Sequence, residues 1–340
     1  MTSDNPTVLL SGFADEAAPN KTLVEQFVAF AALGLKYFSI RFIDVGGGVK
    51  NAMELTDGEI ETIRQQQREY GLSVATLGSP IGKVKLLDIE DGTRNRFIPF
   101  ETYLAEDVQR ACSLAQAFDT KLIRGFSYYH PKGEDPTEYM SQATDQIGKI
   151  VEFCKRQGLI YGLEIEANLV GQNGVILAEI HKQINDPSLV LIFDAANFLC
   201  QGFSPDETFA EYEAMKSGIG WFHVKDYVAP GGTQRTRHVD AESLTDFVSV
   251  DHGSGVHERI FEDYRDSFPR LAQRMVRLGA PGVFLDLEPH VKGGGQFGGF
   301  SGPDGMGVAL RALCGVLDVA EIDYRLRDLN DVREAAKQTA

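Results

Sequence analysis

The chain has 340 residues, and its 33 basic and 49 acidic side chains give a formal net charge of −16. This acidic balance argues against nucleic acids and anionic membrane surfaces as partners. No apolar run approaches the roughly 20 residues of a membrane-spanning helix, and the start, MTSDNPTVLL, lacks the regions of a secretory signal. Four widely spaced cysteines without a CxxC pair fit a reducing compartment, so we predict a cytoplasmic protein.

Short β-rich segments alternate with amphipathic helical segments eight times along the chain. Strands that alternate with helices pair in parallel, and eight such units predict a (β/α)8 TIM barrel. We expect a single domain over residues 1–340, with an enlarged loop after strand seven at about residues 226–255. The predicted strands span residues 8–16, 37–44, 73–82, 121–130, 159–167, 189–199, 221–228 and 282–290.

The helical segments between these strands carry their own stop signals. Gly34 is predicted to end the helix LVEQFVAFAALG, and Gly71 is predicted to end DGEIETIRQQQREYG. The segment FEDYRDSFPRLAQRMVRLG, residues 261–279, is predicted as one helix.

Catalytic groups of a TIM barrel lie at the C-terminal ends of its strands. Four consecutive predicted strands carry a metal-ligating residue type at that end: Glu164 in GLEIEAN, Asp194 in IFDAAN, His223 in FHVKD and Glu288 in LDLEPH. One such residue alone is usually a helix cap or a solvated rim residue. Four at equivalent positions predict a shared metal site, and three carboxylates with one imidazole favour Mn²⁺, Mg²⁺ or Co²⁺ over a structural zinc.

Motifs along nearly the whole chain resemble the xylose isomerase-like TIM barrels, the sugar phosphate isomerase/epimerase superfamily. The resemblance implies that the ordered set of Glu, Asp, His and Glu holds a single ion, which we expect to be Mn²⁺, without a nucleotide cofactor. Glu166 competes with Glu164 as the strand-five ligand; we favour Glu164 because it fills the family's LE position. The motifs are GFADE, IRFID, GSPIGK, LEIEA, FDAANF, FHVKD and LEPHVKGGGQFGGFSGP.

The chain departs from the family pattern at one position. Many relatives carry a histidine three residues after the strand-six aspartate, where this chain has Asn197. Endonuclease IV-type members use that histidine and several others to bind three zinc ions. Because this chain has only seven histidines, and His181 and His257 fall in predicted helices, we expect no such cluster and no DNA-repair activity.

Further polar and aromatic residues lie at the predicted strand ends. His130 is either a surface histidine or a general base, and Lys225, on the same strand face as His223, either polarises a carbonyl or pairs with a ligand carboxylate. Arg41 is predicted to pair with Asp44. Asp15 and Glu16 are predicted to cap the segment that follows them, and the predicted substrate-binding residues are Glu166, Asn197, Phe13, Tyr128 and Gln296.

The resemblance implies an enzyme that uses a divalent ion to polarise the carbonyl of an oxo-sugar, so that a neighbouring C–H group is deprotonated. In the family's keto-sugar epimerases the two ligating glutamates, here Glu164 and Glu288, move the proton. Another branch cleaves C-glycosides: it eliminates the aglycone from a 3-oxo-sugar and works with a small β-rich subunit.

The long loop after strand seven and the absence of a phosphate-binding motif favour the cleaving branch, a carbohydrate lyase. A ketose or keto-glycoside epimerase, or a sugar isomerase, is the alternative. A non-enzymatic sugar-binding barrel would require the four ligands to be vestigial. We expect a sugar or glycoside substrate and either a homo-oligomer or a hetero-oligomer with a small β-rich subunit, but no nucleic acid or membrane partner.

Overall fold

Eight parallel strands form one sheet that curls into a barrel. The computed structural model describes residues 7–229, 235–236, 238–240, 244–293, 299–328, 330–331 and 334. The strand order is β1–β8–β7–β6–β5–β4–β3–β2, and a parallel bridge between Phe13 and Ser39 joins the two ends of the sheet. The predicted TIM barrel is therefore confirmed. Its strands are β1 (Leu9–Gly12), β2 (Tyr37–Ile40), β3 (Ser73–Ile81), β4 (Leu122–Gly125), β5 (Ile160–Glu164), β6 (Leu189–Asp194), β7 (Ile219–Val224) and β8 (Phe284–Leu287).

The barrel strands are apolar because both of their faces are covered. All residues of β5, β6 and β7 are buried, as expected for parallel strands between helices and a filled interior. Two strand glycines make room for large interior rings. A Cβ atom on Gly125 would lie 2.0 Å from the Tyr161 ring, and one on Gly162 would lie 1.9 Å from the Trp221 ring.

Helices pack around the outside of the barrel, and two of them end where the sequence predicts. Gly34, two residues after Ala32, and Gly71, directly after Tyr70, adopt left-handed φ angles of 76° and 61°, a conformation that glycine adopts without steric cost. No helix in the described ranges is long and apolar enough to span a membrane. The α-helices are Leu23–Ala32, Asp57–Tyr70, Phe100–Tyr103, Gln109–Ala117, Met140–Arg156, Gly174–Ile184, Ala195–Leu199, Pro205–Met215, His257–Tyr264, Phe268–Arg277 and Gly302–Val319, with a π-helical turn at Leu104–Val108.

Every predicted strand extends past the C-terminal end of the observed strand, and one predicted helix is interrupted. The sixth strand ends at Asp194 rather than at residue 199, because the Asp194 side chain caps the helix Ala195–Leu199 by accepting a hydrogen bond from Asn197 N. The helix predicted over residues 261–279 is interrupted at Arg265–Ser267. Pro269 lies in the first turn of the following helix, where its missing N–H and its ring prevent a continuous helix.

The enlarged loop after β7 carries a small apolar core of its own. Asp226–Tyr227 pairs antiparallel with Phe247–Val248. A set of buried residues, here called the roof cluster, lies apart from the main core. Residues 230–234, 237 and 241–243 of this loop are outside the described residues, and the domain extent of 1–340 stays a prediction. The roof cluster comprises Ala167, Ala196, Leu199, Cys200, Tyr227, Val239, Leu244 and Phe247.

Candidate metal centre

Four buried side chains converge at the C-terminal ends of β5 to β8. Glu164 and Asp194 end β5 and β6, His223 is the penultimate residue of β7, and Glu288 directly follows β8. Each offers one ligand atom, and these atoms all lie within 4.8 Å of one another. None of the four residues is more than 3% exposed. The structure therefore brings together the four residues that the sequence predicts as metal ligands.

Glu164 and His223 contact each other directly. His223 Nδ1 lies 3.0 Å from Glu164 Oε1 and donates to it, and Arg124 Nη1 lies 3.6 Å from Glu164 Oε2. Burial opposes charge on both members of the pair, but their mutual attraction outweighs it. The pKa of Glu164 therefore lies below its usual value, and the pKa of His223 lies above its usual value.

Lys225 links Asp194 to Glu288. Its Nζ lies 3.0 Å from Asp194 Oδ2 and 3.1 Å from Glu288 Oε2. Burial opposes the lysine charge, but the two carboxylates outweigh burial and hold the Lys225 pKa well above its usual value. For Asp194, burial dominates and raises the pKa to about 6. Of the two arrangements predicted for Lys225, the structure has the pairing one.

Glu288 is the most strongly stabilised carboxylate of the four ligands. Arg41 Nη1 lies 2.5 Å from its Oε1, and Arg124 Nη1 lies 3.7 Å from the same atom. Burial would raise the Glu288 pKa, but Lys225 and Arg41 outweigh it and hold that pKa well below its usual value. This carboxylate is therefore held as an anion.

A carboxylate lies behind the His223 ring. Its Nε2 lies 3.9 Å from Asp286 Oδ2, on the side away from Glu164. Asp286 is itself fixed by hydrogen bonds of 2.7 Å from Ser11 Oγ and 2.6 Å from Ser39 Oγ. The distance from Nε2 to Asp286 is too long for a hydrogen bond, and Nε2 has no hydrogen-bond partner among the described residues. The Nδ1 atom faces the centre, 3.0 Å from Glu164 Oε1 and 3.9 Å from Glu288 Oε2.

The donor set fits a divalent cation. Glu164 Oε2 is buried and accepts no hydrogen bond within the described ranges, and its nearest cation, Arg124 Nη1, lies 3.6 Å away. Unsatisfied buried carboxylate oxygens are costly, and three carboxylates with one imidazole are the ligands that Mn²⁺, Mg²⁺ and related ions prefer. These residues would hold one such ion.

A second group of possible ligands lies beside the first. Glu16, Glu288 and His290 also place one ligand atom each within 4.8 Å of one another. The guanidinium of Arg41 lies between the two glutamates, 2.5 Å from Glu288 Oε1 and 3.5 Å from Glu16 Oε1. Because this cation already balances their charge, we assign the metal to the first group.

Comparison with protein families gives a match over residues 27–313 to the xylose isomerase-like TIM barrel family. The chain belongs to this family. No curated protein matches it.

Several solved structures share this fold. A xylose isomerase-like TIM barrel protein from Mycobacterium smegmatis in complex with magnesium has a TM-score of 0.61 at 16% identity, over 93% of this chain and 97% of that one. A D-tagatose 3-epimerase-like protein has a TM-score of 0.61 at 15% identity, over 92% of this chain and 98% of that one. A probable 3-DHS dehydratase from Bacillus anthracis has a TM-score of 0.60 at 15% identity, over 90% of this chain and 98% of that one. At these identities the similarity shows the fold alone.

Three of the predicted substrate-binding residues of this xylose isomerase-like barrel support the ligands or flank them. Asn197 Nδ2 donates to Ile165 O over 2.8 Å and to Glu164 Oε1 over 3.4 Å. Glu166 is ion-paired with Lys83, with 3.1 Å between Oε2 and Nζ. The third, Phe13, is fully buried, and its ring lies edge-on to the His223 ring at 5.3 Å.

His130 and Tyr128, two other predicted site residues, have neighbours outside the group of four candidate ligands. His130 Nδ1 lies 2.9 Å from Pro131 O, and its ring stacks on Tyr139. Burial lowers the His130 pKa, so this imidazole is neutral at pH 7. Tyr128 is buried edge-on against Tyr103, and burial raises its pKa well above the usual value. Gln296 lies outside the described residues.

Of the two arginines of the centre, Arg124 is absent from the predicted site residues and Arg41 is predicted with the wrong partner. Arg41 contacts Asp15, Glu16 and Glu288; the prediction that it pairs with Asp44 is wrong, because the Asp44 carboxylate accepts the N–H groups of the turn at residues 46–48 instead.

The acidic residues after β1 also differ from their predicted role. Asp15 and Glu16 are fully buried members of the ion-pair network rather than simple caps. A signal for the arginines does exist in the sequence, since both follow an isoleucine near the end of a short strand, in SIRF and LIRG. The guanidinium groups of Arg41 and Arg124 lie 4.5 Å and 4.9 Å from the Phe13 ring centroid.

Proposed function

We propose that the protein is a divalent-metal-dependent enzyme that acts on a neutral oxo-sugar and removes a proton from the carbon next to its carbonyl group. The observation that carries this proposal is the convergence of Glu164, Asp194, His223 and Glu288 at the barrel mouth. A bound ion, for which we favour Mn²⁺, would supply the Lewis acidity that makes such a C–H group acidic.

Glu164 is the better base of the two candidate glutamates. Glu288 contacts Lys225, Arg41 and Arg124, and its pKa is held well below its usual value. Glu164 has one arginine at 3.6 Å and the His223 ring as its charged neighbours. A carboxylate that is less stabilised as an anion accepts a proton more readily. We therefore assign proton removal to Glu164. If the reaction is an epimerisation, Glu288 returns a proton to the same carbon.

Lys225 acts as a donor in this scheme. Its two carboxylate neighbours keep it protonated, so it cannot serve as a base. A fixed ammonium in a buried site stabilises negative charge that develops on a substrate oxygen.

The charge balance of the site favours a neutral substrate. With neutral histidines, the seven carboxylates and five cationic side chains of the network leave a formal charge of −2, which one divalent ion cancels. A phosphorylated sugar would add uncompensated negative charge to this buried site. The carboxylates are Asp15, Glu16, Glu164, Glu166, Asp194, Asp286 and Glu288, and the cations are Lys21, Arg41, Lys83, Arg124 and Lys225.

For the exact reaction we favour elimination from a 3-oxo-C-glycoside. Glu164 takes the proton from the carbon next to the carbonyl, the freed electron pair forms a C=C bond to the anomeric carbon, and the bond to the aglycone breaks. The aglycone carbon leaves with the electron pair of the broken bond and gains a proton from solvent, and Glu164 returns its proton to solvent. The roof cluster over the barrel mouth and the structural similarity to a probable dehydratase support elimination. A small β-rich subunit that completes the aglycone side, and a cytoplasmic location, belong to the same proposal.

Epimerisation of a free ketose or keto-glycoside is the second candidate. Two glutamates that share one centre suit proton removal on one face of a carbon and proton return on the other. The structural similarity to a D-tagatose 3-epimerase-like protein supports this candidate.

His130 is a second candidate base. If it removes the proton, His130→Ala lowers turnover by about 10²–10⁴-fold with unchanged metal content. A loss below about tenfold would make it a positioning residue.

The test of the reaction uses Mn²⁺-loaded protein, alone and with a small β-rich partner protein. Each sample is incubated in heavy water with a 3-oxo-C-glucoside or with a free ketose. We expect release of the aglycone. Deuterium incorporation into the ketose without aglycone release would support the epimerase instead, and the absence of both reactions would overturn the proposal. Asp194→Asn, which weakens the metal site, is the matched inactive control.

A further inference from the structure

One carboxylate fastens both ends of the loop that follows β7. Asp226 Oδ1 accepts hydrogen bonds from Tyr227 N over 2.7 Å and from Gly255 N over 2.8 Å. Its Oδ2 lies 3.0 Å from His257 Nδ1, at the start of the next helix. Asp226 and His257 are both buried. The chain thus leaves the barrel and returns to it at a single side chain, which we call the clasp.

The returning end of the loop is built closely around this carboxylate. A Cβ atom on Gly253 would lie 2.0 Å from Asp226 Cγ, and one on Gly255 would lie 2.8 Å from Asp226 Oδ1. Real Cβ atoms do not approach other atoms this closely, so glycine is required for space at both positions. Both chain ends are therefore fitted to the clasp.

The clasp fixes the position of Phe247 above the centre. Asp226 pairs with Val248, and Tyr227 pairs with Phe247, in an antiparallel ribbon. The Phe247 ring then lies 5.7 Å from Lys225 Nζ and edge-on to the His290 ring at 5.1 Å. Phe247 is 4% exposed, and the four candidate ligands below it are equally enclosed. Phe247 is the roof-cluster residue that contacts both Lys225 and His290.

We propose that Asp226 is a positioning residue that holds the roof cluster closed, and that Phe247 controls the passage of ions and substrate to the centre. Because the ligands are enclosed and Phe247 lies over Lys225, we expect Phe247 to move when an ion or a sugar reaches them. Loss of the clasp frees residues 244–256 from the end of β7, so Phe247 leaves its position more often while the four ligands keep their arrangement. The substrate part of this statement rests on the proposed function, whereas the opening of the roof does not.

The chain supplies a matched control for the clasp. Asp251 and His252 form another Asp–His pair in the same loop, with 2.7 Å between Oδ1 and Nδ1, but both side chains are largely exposed. Asp251→Ala therefore removes an aspartate from the same loop without touching the clasp. Asp226→Asn keeps an acceptor for the two backbone N–H groups and tests whether the hydrogen bonds, rather than the charge, fasten the loop.

Hydrogen exchange of the full chain tests the clasp without any substrate. We expect Asp226→Ala to speed exchange over residues 244–256 by at least about tenfold, with unchanged exchange in the barrel strands. The exchange rate of Asp226→Asn should lie between those of this variant and the wild type. Asp251 accepts a hydrogen bond from Ser249 Oγ over 2.6 Å, so Asp251→Ala should speed exchange only at residues 249–252 and leave the rest of the segment at the wild-type rate. Equal exchange in Asp226→Ala and the wild type would overturn the proposal, as would a uniform increase over the whole chain in both Asp226 variants.

Release of Mn²⁺ to excess chelator tests the role of Phe247. We expect Asp226→Ala and Phe247→Ala to release the ion at least about tenfold faster than the wild type, with unchanged equilibrium affinity. Release at the wild-type rate from Phe247→Ala would refute its control of passage. If the wild type binds no ion, the proposed function fails, and the exchange experiment still decides the proposal about the clasp.

Discussion

Arg41 Nη1 lies 2.5 Å from Glu288 Oε1, so a guanidinium just after β2 holds the candidate metal ligand that follows β8. The same group contacts Asp15 and Glu16 beyond the end of β1. Because β1 lies between β2 and β8 in the closed barrel, this ion-pair network joins the strands on either side of the chain's first strand. Arg41 thus contributes both to the metal centre and to closure of the barrel.

Removal of Arg41 should destabilise the metal-free protein strongly. Arg41→Ala removes a cation that the buried Asp15, Glu16 and Glu288 share, and breaking such a buried pair costs about 3–5 kcal/mol. Urea unfolding followed by far-UV circular dichroism measures this loss. Arg64→Ala, which removes an exposed arginine paired with Glu61, should change the free energy of unfolding by at most about 1 kcal/mol. An Arg41→Ala protein as stable as this control would contradict the assigned network.

Metal affinity should fall as the pH drops below about 6. The pKa of Asp194 is raised to about 6 by burial, so below that pH an ion must displace a proton from the carboxyl group. We expect the apparent Mn²⁺ affinity to fall at least about tenfold per pH unit there. His223, whose pKa is raised by Glu164 despite its burial, adds to this slope. Ion titrations between pH 7.5 and 5 that give a constant affinity would contradict the prediction.

The stability of the metal-free protein should have the opposite pH dependence, and Asp194 is again the cause. The folded protein binds the Asp194 proton more tightly than the unfolded chain, in which the pKa is near 3.8. This contribution to stability is therefore fully present below the unfolded value and is lost as the pH rises through about 6. Asp194→Asn should lack it. Urea midpoints of both metal-free proteins at pH 5 and pH 7 measure the difference, and equal pH responses would count against a buried, weakly acidic Asp194.

The two glutamates should respond differently to amide substitution. Glu164→Gln removes the proposed base, and a general base contributes about 10²–10⁴-fold to turnover. Under elimination, Glu288→Gln should act mainly through weaker metal binding, so saturating Mn²⁺ should restore part of its activity. Turnover measured against Mn²⁺ concentration separates the two effects. Full recovery of Glu164→Gln by added metal would assign proton removal to another residue.

The sequence predicts the barrel and the four candidate ligands because both follow from local patterns. Eight alternating apolar segments specify the strands, and residues at the ends of parallel strands meet at one edge of the barrel. The contacts around the ligands depend instead on closure of the barrel. Asp286 lies on an apolar strand and is satisfied by Ser11 and Ser39, which are 275 and 247 residues away in sequence. No local pattern indicates such pairs.

The same distinction explains the mispaired arginine and the shortened strand. Arg41 and Asp44 are close in sequence, but the strand ends at Ile40 and Phe42–Asp44 turns into a separate ribbon. The alternation of apolar residues along the sixth strand does not show where that strand ends, because Asp194 both ends β6 and caps the helix that follows. The clasp at Asp226 likewise depends on a contact 31 residues away, with His257.

We assign one divalent ion to Glu164, Asp194, His223 and Glu288. The most direct test is the metal content of the purified chain after incubation with Mn²⁺ and gel filtration, measured for the wild type, Asp194→Asn and His223→Gln. We expect one ion per chain in the wild type and almost none in either variant, with far-UV spectra that stay those of a folded barrel. A wild type without bound ion, or variants that retain it fully, would refute the assignment.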